Sequence, residues 1–474
     1  MSPAARPGAV LATCCLSLFL VTMDITIVNV ALPAIGRDLH ASVSGLAWSI
    51  DGYTVVLASF LVLGGSLADR LGRRRVFQIG LVVFSAGSLA CSLAPTIELL
   101  VACRVVQAIG GAMLNPVAMS IIVNVFTDPK RRAGAIGVWG SMHGVSMAVG
   151  PLVGGALVEA VGWRAIFWVN VPIGLVAIAL TRRFVPESRA DRPRRIDPVG
   201  QVLIVVGLAA LTSSLIEGRS LGWGSAPIAG GLAMAAAALG LLVAYERRRR
   251  EPLVDLRFFR SLPFSAATVV AVISFATFNG GLFLGSLYLQ ETRGLLPREA
   301  GMCLMPIAVA LILCSPLSGR LVGAGLTRLA LVLAGATIAA GALLLVALDV
   351  ETPLAQVIAA FVLLGAGIGL ANAPITSSAV SGMPRAQAGV ASALAATSRQ
   401  IGTTLGVALA GTIAGAAAAS PVFATSTRPF WWLGVTGGVA IAILGIAATG
   451  GHARRSALAI ESLLDEREVE CPSK

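Results

Sequence analysis

Charge is scarce in this chain. Of its 474 residues only 12 % are charged, against roughly 25 % in soluble globular proteins. A chain so short of charge and 56 % hydrophobic has too few polar groups to cover its own surface in water, so most of its exterior faces lipid. The mean hydropathy of +0.87 agrees. Lysine is almost missing: of 35 basic residues only Lys130 and Lys474 are lysines. The net charge of +12 does not point to nucleic acid, because the Arg clusters sit in short breaks between apolar runs and not on one soluble face. The seven cysteines show no CxxC or Cys/His spacing, and all but Cys471 lie in apolar segments. They read as small core residues, so neither a metal centre nor a disulfide is expected. No G-x-x-x-x-G-K-[ST] phosphate loop is present, which excludes a built-in ATP motor, and no enzymatic activity or cofactor is expected. The first apolar run is too long for a cleavable signal peptide and lacks a small-x-small cleavage site.

What the chain does have is apolar sequence in runs of spanning length. A hydrocarbon core about 30 Å thick takes ~20 apolar residues per helix. Fourteen such runs fall near 9–31, 46–67, 76–94, 98–122, 133–158, 163–181, 198–217, 226–245, 262–289, 300–319, 328–348, 353–375, 388–415 and 430–450. The 53 glycines suit helices that pack closely in a bilayer. Arg70, Arg73 to Arg75, Lys130 to Arg132, the six Arg between Arg182 and Arg195, Arg247 to Arg250, Arg257 and Arg260 all fall on one side. That asymmetry predicts that this side, with both termini, is cytoplasmic.

An internal repeat is visible. Asn115-Pro116 has an echo in Asn372 and Pro374, Gly65-Ser66-Leu67 in Gly319-Arg320-Leu321, and Ala133-Gly134 in Ala388-Gly389. In this register segments 1–6 and 9–14 are equivalent halves and segments 7 and 8 an insertion. Parallel halves with a substrate site near the midplane are a transporter plan. The expected organisation is a cytoplasmic N-terminus (1–8), a first six-helix bundle (9–184), a linker with two extra helices (185–261), a second six-helix bundle (262–450) and a cytoplasmic tail (451–474).

Three intramembrane charges stand out. At 1.5 Å per residue Asp24 lies ~22 Å up its helix from the cytoplasmic side. Asp51 lies a few residues below the outer boundary of the second segment, and Arg104 roughly 10 Å into the fourth. A charge at such depth costs about 2.5–3.5 kcal/mol on insertion scales and is expected to face a partner or a cavity. The three thus share the outer third of the bilayer. The expectation is that Arg104 pairs with ionised Asp24, that protonation breaks the pair, and that Asp51 is a second proton or cation site. A static pair holding helices together is the competing reading, and for Asp51 an interfacial position simply reached by water.

Several motifs carry a resemblance. Gly65-Ser66-Leu67-Ala68-Asp69-Arg70-Leu71-Gly72-Arg73-Arg74-Arg75 resembles the signature loop of the major facilitator superfamily. The resemblance implies a loop in which Gly65 and Gly72 allow a tight turn and Asp69, Arg70 and Arg73 latch the two halves together on the cytoplasmic side. Gly137, Ser146, Gly150-Pro151 and Gly154-Gly155 resemble the antiporter motif of facilitator-family drug exporters, with Ser146 in place of one expected glycine. A small-residue stripe for helix packing explains the same pattern. Met23 to Pro33 and Trp48 to Tyr53 complete a resemblance to the fourteen-helix drug:proton antiporters, in particular actinomycete antibiotic-resistance exporters of the methylenomycin type. It implies an all-α membrane protein with the major facilitator fold, two six-helix bundles plus two inserted central helices, in the bacterial cytoplasmic membrane. It further implies a monomer, bathed in lipid, that exports small amphipathic, often cationic molecules in exchange for protons.

Asn29, Asn115, His143, Asn279, Asn372, Arg399 and Gln400 are further polar residues within apolar runs. They are expected in a substrate cavity or in interhelical packing. Three other functions stay open: a dedicated exporter of one endogenous metabolite, lipid or siderophore, a non-transporting membrane sensor or scaffold, and an uptake symporter.

Overall fold

The computed structural model describes residues 7–189, 197–218, 220–249, 256–381, 383, 388–414, 426–451, 453 and 455–457, and within α-helices the side chains of Gly137 and His143 lie outside the described residues. Among the described residues all regular structure is helical. In chain order the helices are α1 (Pro7–Asp38), α2 (Val43–Leu71), α3 (Arg73–Ser92), α4 (Ile97–Val125), α5 (Pro129–Ala160), the single turn α6 (Ala165–Trp168), α7 (Asn170–Phe184), α8 (Pro198–Glu217), α9 (Ala226–Glu246), α10 (Leu262–Leu287), α11 (Pro297–Gly323), α12 (Thr327–Val346), α13 (Leu354–Val380), α14 (Ala388–Ala414) and α15 (Arg428–Ala447).

Their starts follow from local chemistry. The side chains of Ser42, Thr96, Asp128, Asp197 and Ser261 accept a hydrogen bond from the backbone N–H three residues on, capping α2, α4, α5, α8 and α10. Proline opens α5, α8 and α10, where its missing N–H leaves no helical bond unmade.

Among the described residues, twelve helices are long and apolar enough to cross a membrane, and α2, bent by 51° near Leu61 and Leu63, makes a thirteenth. This accounts for thirteen of the fourteen expected spans. The remaining run, 388–415, corresponds to α14, which has the length but is diluted by Arg399, Gln400 and several threonines. Its glycine face lies against α10. A Cβ on Gly402 would stand 2.5 Å from the Val272 carbonyl of α10, and a Cβ on Gly406 would collide with that of Ala276. Backbone therefore lies directly on backbone, as small residues permit.

The helices pack in groups. α1 to α7 lie mainly on one another, as do α10 to α15, while α8 and α9 pair and α8 rests on α2 and α14. The groups meet along α5 with α11 and α2 with α14. Contacts joining them run from mid-helix to the end away from the Arg-rich breaks. They include Gly144 with Ile312, Gly155 with Pro297, and the Arg37–Glu291 ion pair at 3.0 Å.

The segment Gly65 to Arg75 differs from expectation. It is not an extended loop: α2 stays helical through Leu71 and α3 begins at Arg73, so Gly72 alone breaks the chain. Gly72 has φ +111°, a conformation that disfavours any side chain, and a Cβ there would meet Glu187 at 2.6 Å. Gly65 sits within α2, where a Cβ would make only an ordinary contact with Pro116. The charged end of α2 continues as helix because its long side chains reach outward from the apolar core.

Candidate functional site

Asp24 and Arg104 meet in the interior of the first group. Both are buried, at 0 % and 1 % exposure, and Arg104 Nη1 donates to Asp24 Oδ2. The other Asp24 oxygen accepts from Gln107 Nε2 and Asn170 Nδ2, each at 2.8 Å. Arg104 also donates from Nη1 to Gln107 Oε1 at 2.9 Å and from Nε to the Ser49 carbonyl at 3.1 Å. The Tyr53 ring lies under the guanidinium at 4.1 Å. Asn170 is held in turn by Ser88, 3.1 Å away, whose hydroxyl donates to the Phe167 carbonyl. Six helices, α1 to α4, α6 and α7, thus contribute to the network around one ion pair. Coulombic attraction and a full set of hydrogen bonds offset the desolvation of both ions.

Asp51 is not part of this cluster. It lies two residues from Ser49 and from Tyr53, about 200° round the helix at 3.6 residues per turn. It is fully buried, not at a water-reached boundary. Its Oδ1 accepts from Thr54 Oγ1 at 3.1 Å, and Thr54 in turn accepts from Thr404 Oγ1 of α14 at 2.8 Å. Its Oδ2 has no partner among the described residues.

The stripe on α5 serves two interfaces. Gly150 and Gly154 lie against Thr26 and Ile27 of α1, where a Cβ would collide with either side chain. Gly155 faces the other way, 2.6 Å from the Pro297 carbonyl if given a Cβ, and Gly301 of α11 lies directly against the Pro151 carbonyl. Ser146 is buried and returns its hydroxyl to the Met142 carbonyl one turn back. It therefore behaves as a small, self-satisfied residue.

At the Arg-rich end, Asp69 accepts from Arg73 Nη2 at 3.0 Å. Arg74 N–H donates to Glu187 at 3.1 Å, and Arg75 lies 3.8 Å from the same carboxylate. These contacts tie α2 and α3 to the segment after α7, within the first group. Arg70 lies in the last turn of α2.

In the second group Arg399 of α14 donates from Nη1 to Asn372 Oδ1 at 2.9 Å and to Thr376 Oγ1 at 3.3 Å, both on α13. Asn279 of α10 donates to Thr403 at 3.0 Å. Gln400 Nε2 and Asn115 Oδ1 are buried without partners among the described residues. Asn29 donates to the Ile25 carbonyl at 3.0 Å, and its own carbonyl accepts from Ser286 across the groups.

Gln107, Asn170, Ser49, Tyr53, Ser88, Thr54, Thr404 and Glu187 were not among the expected site residues. Ser49 and Tyr53 lie within the Trp48 to Tyr53 motif, and Glu187 carried a signal as a lone acid next to an Arg-rich stretch.

The Major Facilitator Superfamily family model matches residues 14–407. The chain is 37 % identical over 398 residues to the multidrug resistance protein Stp of Mycobacterium tuberculosis, covering 84 % of this chain and 74 % of that one. It is 36 % identical over 397 residues to the methylenomycin A resistance protein of Streptomyces coelicolor, covering 83 % and 82 %. Over 412 residues it is 36 % identical to the multidrug efflux pump LfrA of Mycolicibacterium smegmatis, covering 86 % and 81 %. Its fold resembles the POT family transporter PepTSo at a TM-score of 0.67 and 15 % identity, covering 93 % of this chain and 98 % of that one. It also resembles a bacterial homolog of the human lysosomal transporter Spinster in an inward-facing conformation, at 0.64 and 18 % identity, covering 96 % and 98 %. The chain is therefore a multi-pass membrane transporter and belongs to the Major Facilitator Superfamily.

Proposed function

We propose that this transporter exports amphipathic drugs or antibiotics from the cytoplasm across the bacterial cytoplasmic membrane in exchange for protons. The observation that carries the coupling is the contrast between two buried carboxylates. Asp24 is fully matched by Arg104, Gln107 and Asn170, an environment suited to the ion. Asp51 has a single hydroxyl partner and no cation within 4.0 Å among the described residues. An unpaired carboxylate ion so deep is strongly disfavoured. Asp51 therefore carries the proton in this conformation, while Asp24 is the site that proton entry neutralises in the alternate one. The names of the relatives support drug efflux. The Arg distribution supports cytoplasmic termini.

The packing supports further parts of this reading. α14 is the one remaining span, packed mainly on α10 and α2. The first bundle ends near residue 184 and the second begins near 262, with α8 and α9 between them. Asp69, Arg70 and Arg73 form a latch that reaches the second bundle only when the Arg-rich end closes. The transporter works as a monomer in lipid, with Asn29, Asn115, His143, Asn279, Asn372, Arg399 and Gln400 along the substrate path.

The test is proton release from acid-loaded inside-out vesicles on addition of cationic, neutral and acidic antibiotics, with Asp24→Asn and Asp51→Asn beside the wild type. Drug-dependent release abolished by Asp24→Asn supports antiport through the first helix. Release that survives Asp24→Asn but not Asp51→Asn moves the coupling site to α2. Folded wild-type protein that releases no protons with any drug overturns the multidrug reading.

A further inference from the structure

The two intramembrane arginines sit in opposite electrostatic situations. Arg104 is neutralised by Asp24. Arg399 has only neutral partners, Asn372 and Thr376. Among the described residues no carboxylate lies within 4.0 Å of it. Nor can its own bundle supply one. Between residues 262 and 450 the only acids are Glu291, Glu299, Asp349 and Glu351, and all lie at or beyond helix ends: Glu291 after α10, Glu299 in the first turn of α11, Asp349 and Glu351 between α12 and α13. Arg399 is eleven residues into α14, about 16 Å at 1.5 Å per residue, which is near the midplane of a ~30 Å core. Lipid headgroups do not sit at that depth.

The guanidinium is also held in a particular way. Both of its hydrogen bonds leave from Nη1, and Asn372 and Thr376 lie one turn apart on α13. The edge formed by Nε and Nη2 is bonded to nothing among the described residues and is not sealed in the core, since Arg399 and both its partners are only half-buried. That edge offers two parallel N–H donors, the geometry that takes a carboxylate in a bidentate pair.

We infer that Arg399, braced by Asn372 and Thr376, is an anion-recognition site that selects amphipathic substrates bearing an acidic group. This rests on the efflux reading, because it concerns the cargo of that same path. A bilayer-buried cation without a counter-charge is expensive, and the substrate's own anion neutralises it while bound. Arg399 is a substrate-binding residue, and Asn372 is the positioning residue that fixes its rotamer.

The test uses three probes with one apolar body and three charges: 1-pyrenebutyrate, its methyl ester, and the corresponding pyrenebutyl trimethylammonium ion. Binding to purified protein in detergent is read by quenching of tryptophan fluorescence, and transport by uptake into energised inside-out vesicles. Wild type is expected to bind 1-pyrenebutyrate at least tenfold tighter than the ester. Arg399→Gln loses that preference while keeping its affinity for the ester, Arg399→Lys retains part of it, and Asn372→Ala weakens it severalfold. Equal binding of acid and ester by the wild type overturns the inference, as does an Arg399→Gln protein that is monodisperse and still prefers the acid. Binding without transport of any probe leaves the acid site standing and overturns the efflux reading instead, so the two failures are distinct.

Discussion

Thr404 of α14 donates its hydroxyl proton to Thr54 of α2 at 2.8 Å, and Thr54 passes its own to Asp51. A contact between the two bundles therefore ends on a buried carboxylate. If Asp51 ionises, the chain acquires an unpaired charge at the interface between α2 and α14. Thr404→Val keeps the shape and removes the donor. It is expected to leave folding intact and to loosen the outer closure, seen as faster labelling of a cysteine introduced at Glu291.

The Asp24–Arg104 pair should behave as a unit. Asp24→Ala leaves Arg104 buried without its counter-ion, a change that costs about 3–5 kcal/mol in comparable pairs. The expected result is a marked fall in Tm of the purified protein. Asp24→Asn with Arg104→Gln removes both charges and should recover most of that loss while transport stays absent. A double variant as unstable as Asp24→Ala would show that hydrogen bonding, not charge balance, holds the site together.

Gly155 and Gly154 are adjacent but face different neighbours. A methyl at Gly155 meets the Pro297 carbonyl of the other bundle, and one at Gly154 meets Ile27 of its own. Backbone cannot yield as a side chain can, so Gly155→Ala is expected to hold the bundles apart on that side, whereas Gly154→Ala chiefly lowers stability. Cysteine crosslinking between Arg37 and Glu291 positions separates the two: it should weaken in Gly155→Ala alone.

At the junction of α2 and α3, Gly72→Ala combines a left-handed backbone with a clash against Glu187. A backbone in so sparsely populated a positive-φ region costs an L-residue roughly 1–3 kcal/mol. Gly65→Ala adds a methyl in ordinary contact and is expected to be neutral. Transport and Tm of the two variants compared side by side check this difference within one motif.

Much of this protein is legible in its sequence. Hydropathy alone determines a polytopic helical membrane protein, because apolar runs of span length have no other stable home. Depth along a helix is likewise a matter of counting, which is why Asp24 and Arg104 could be expected at one level and do meet. Packing faces are harder to read in a bilayer, where the apolar pattern runs round the whole helix and carries no strong stripe. Hence Asp51, placed beside the pair by depth, turned out to point away from it, and Gly65 proved to be helix and not turn. The neutral residues that complete the pair, Gln107 and Asn170, were invisible because a lone amide in an apolar run is equally at home in a cavity or between helices. The charge of Arg399 could be read from the chain, but its lack of a counter-ion could not. Composition decides which groups enter the membrane; only the tertiary arrangement decides which of them neutralise one another, since that depends on distances of a few ångströms between helices far apart in sequence.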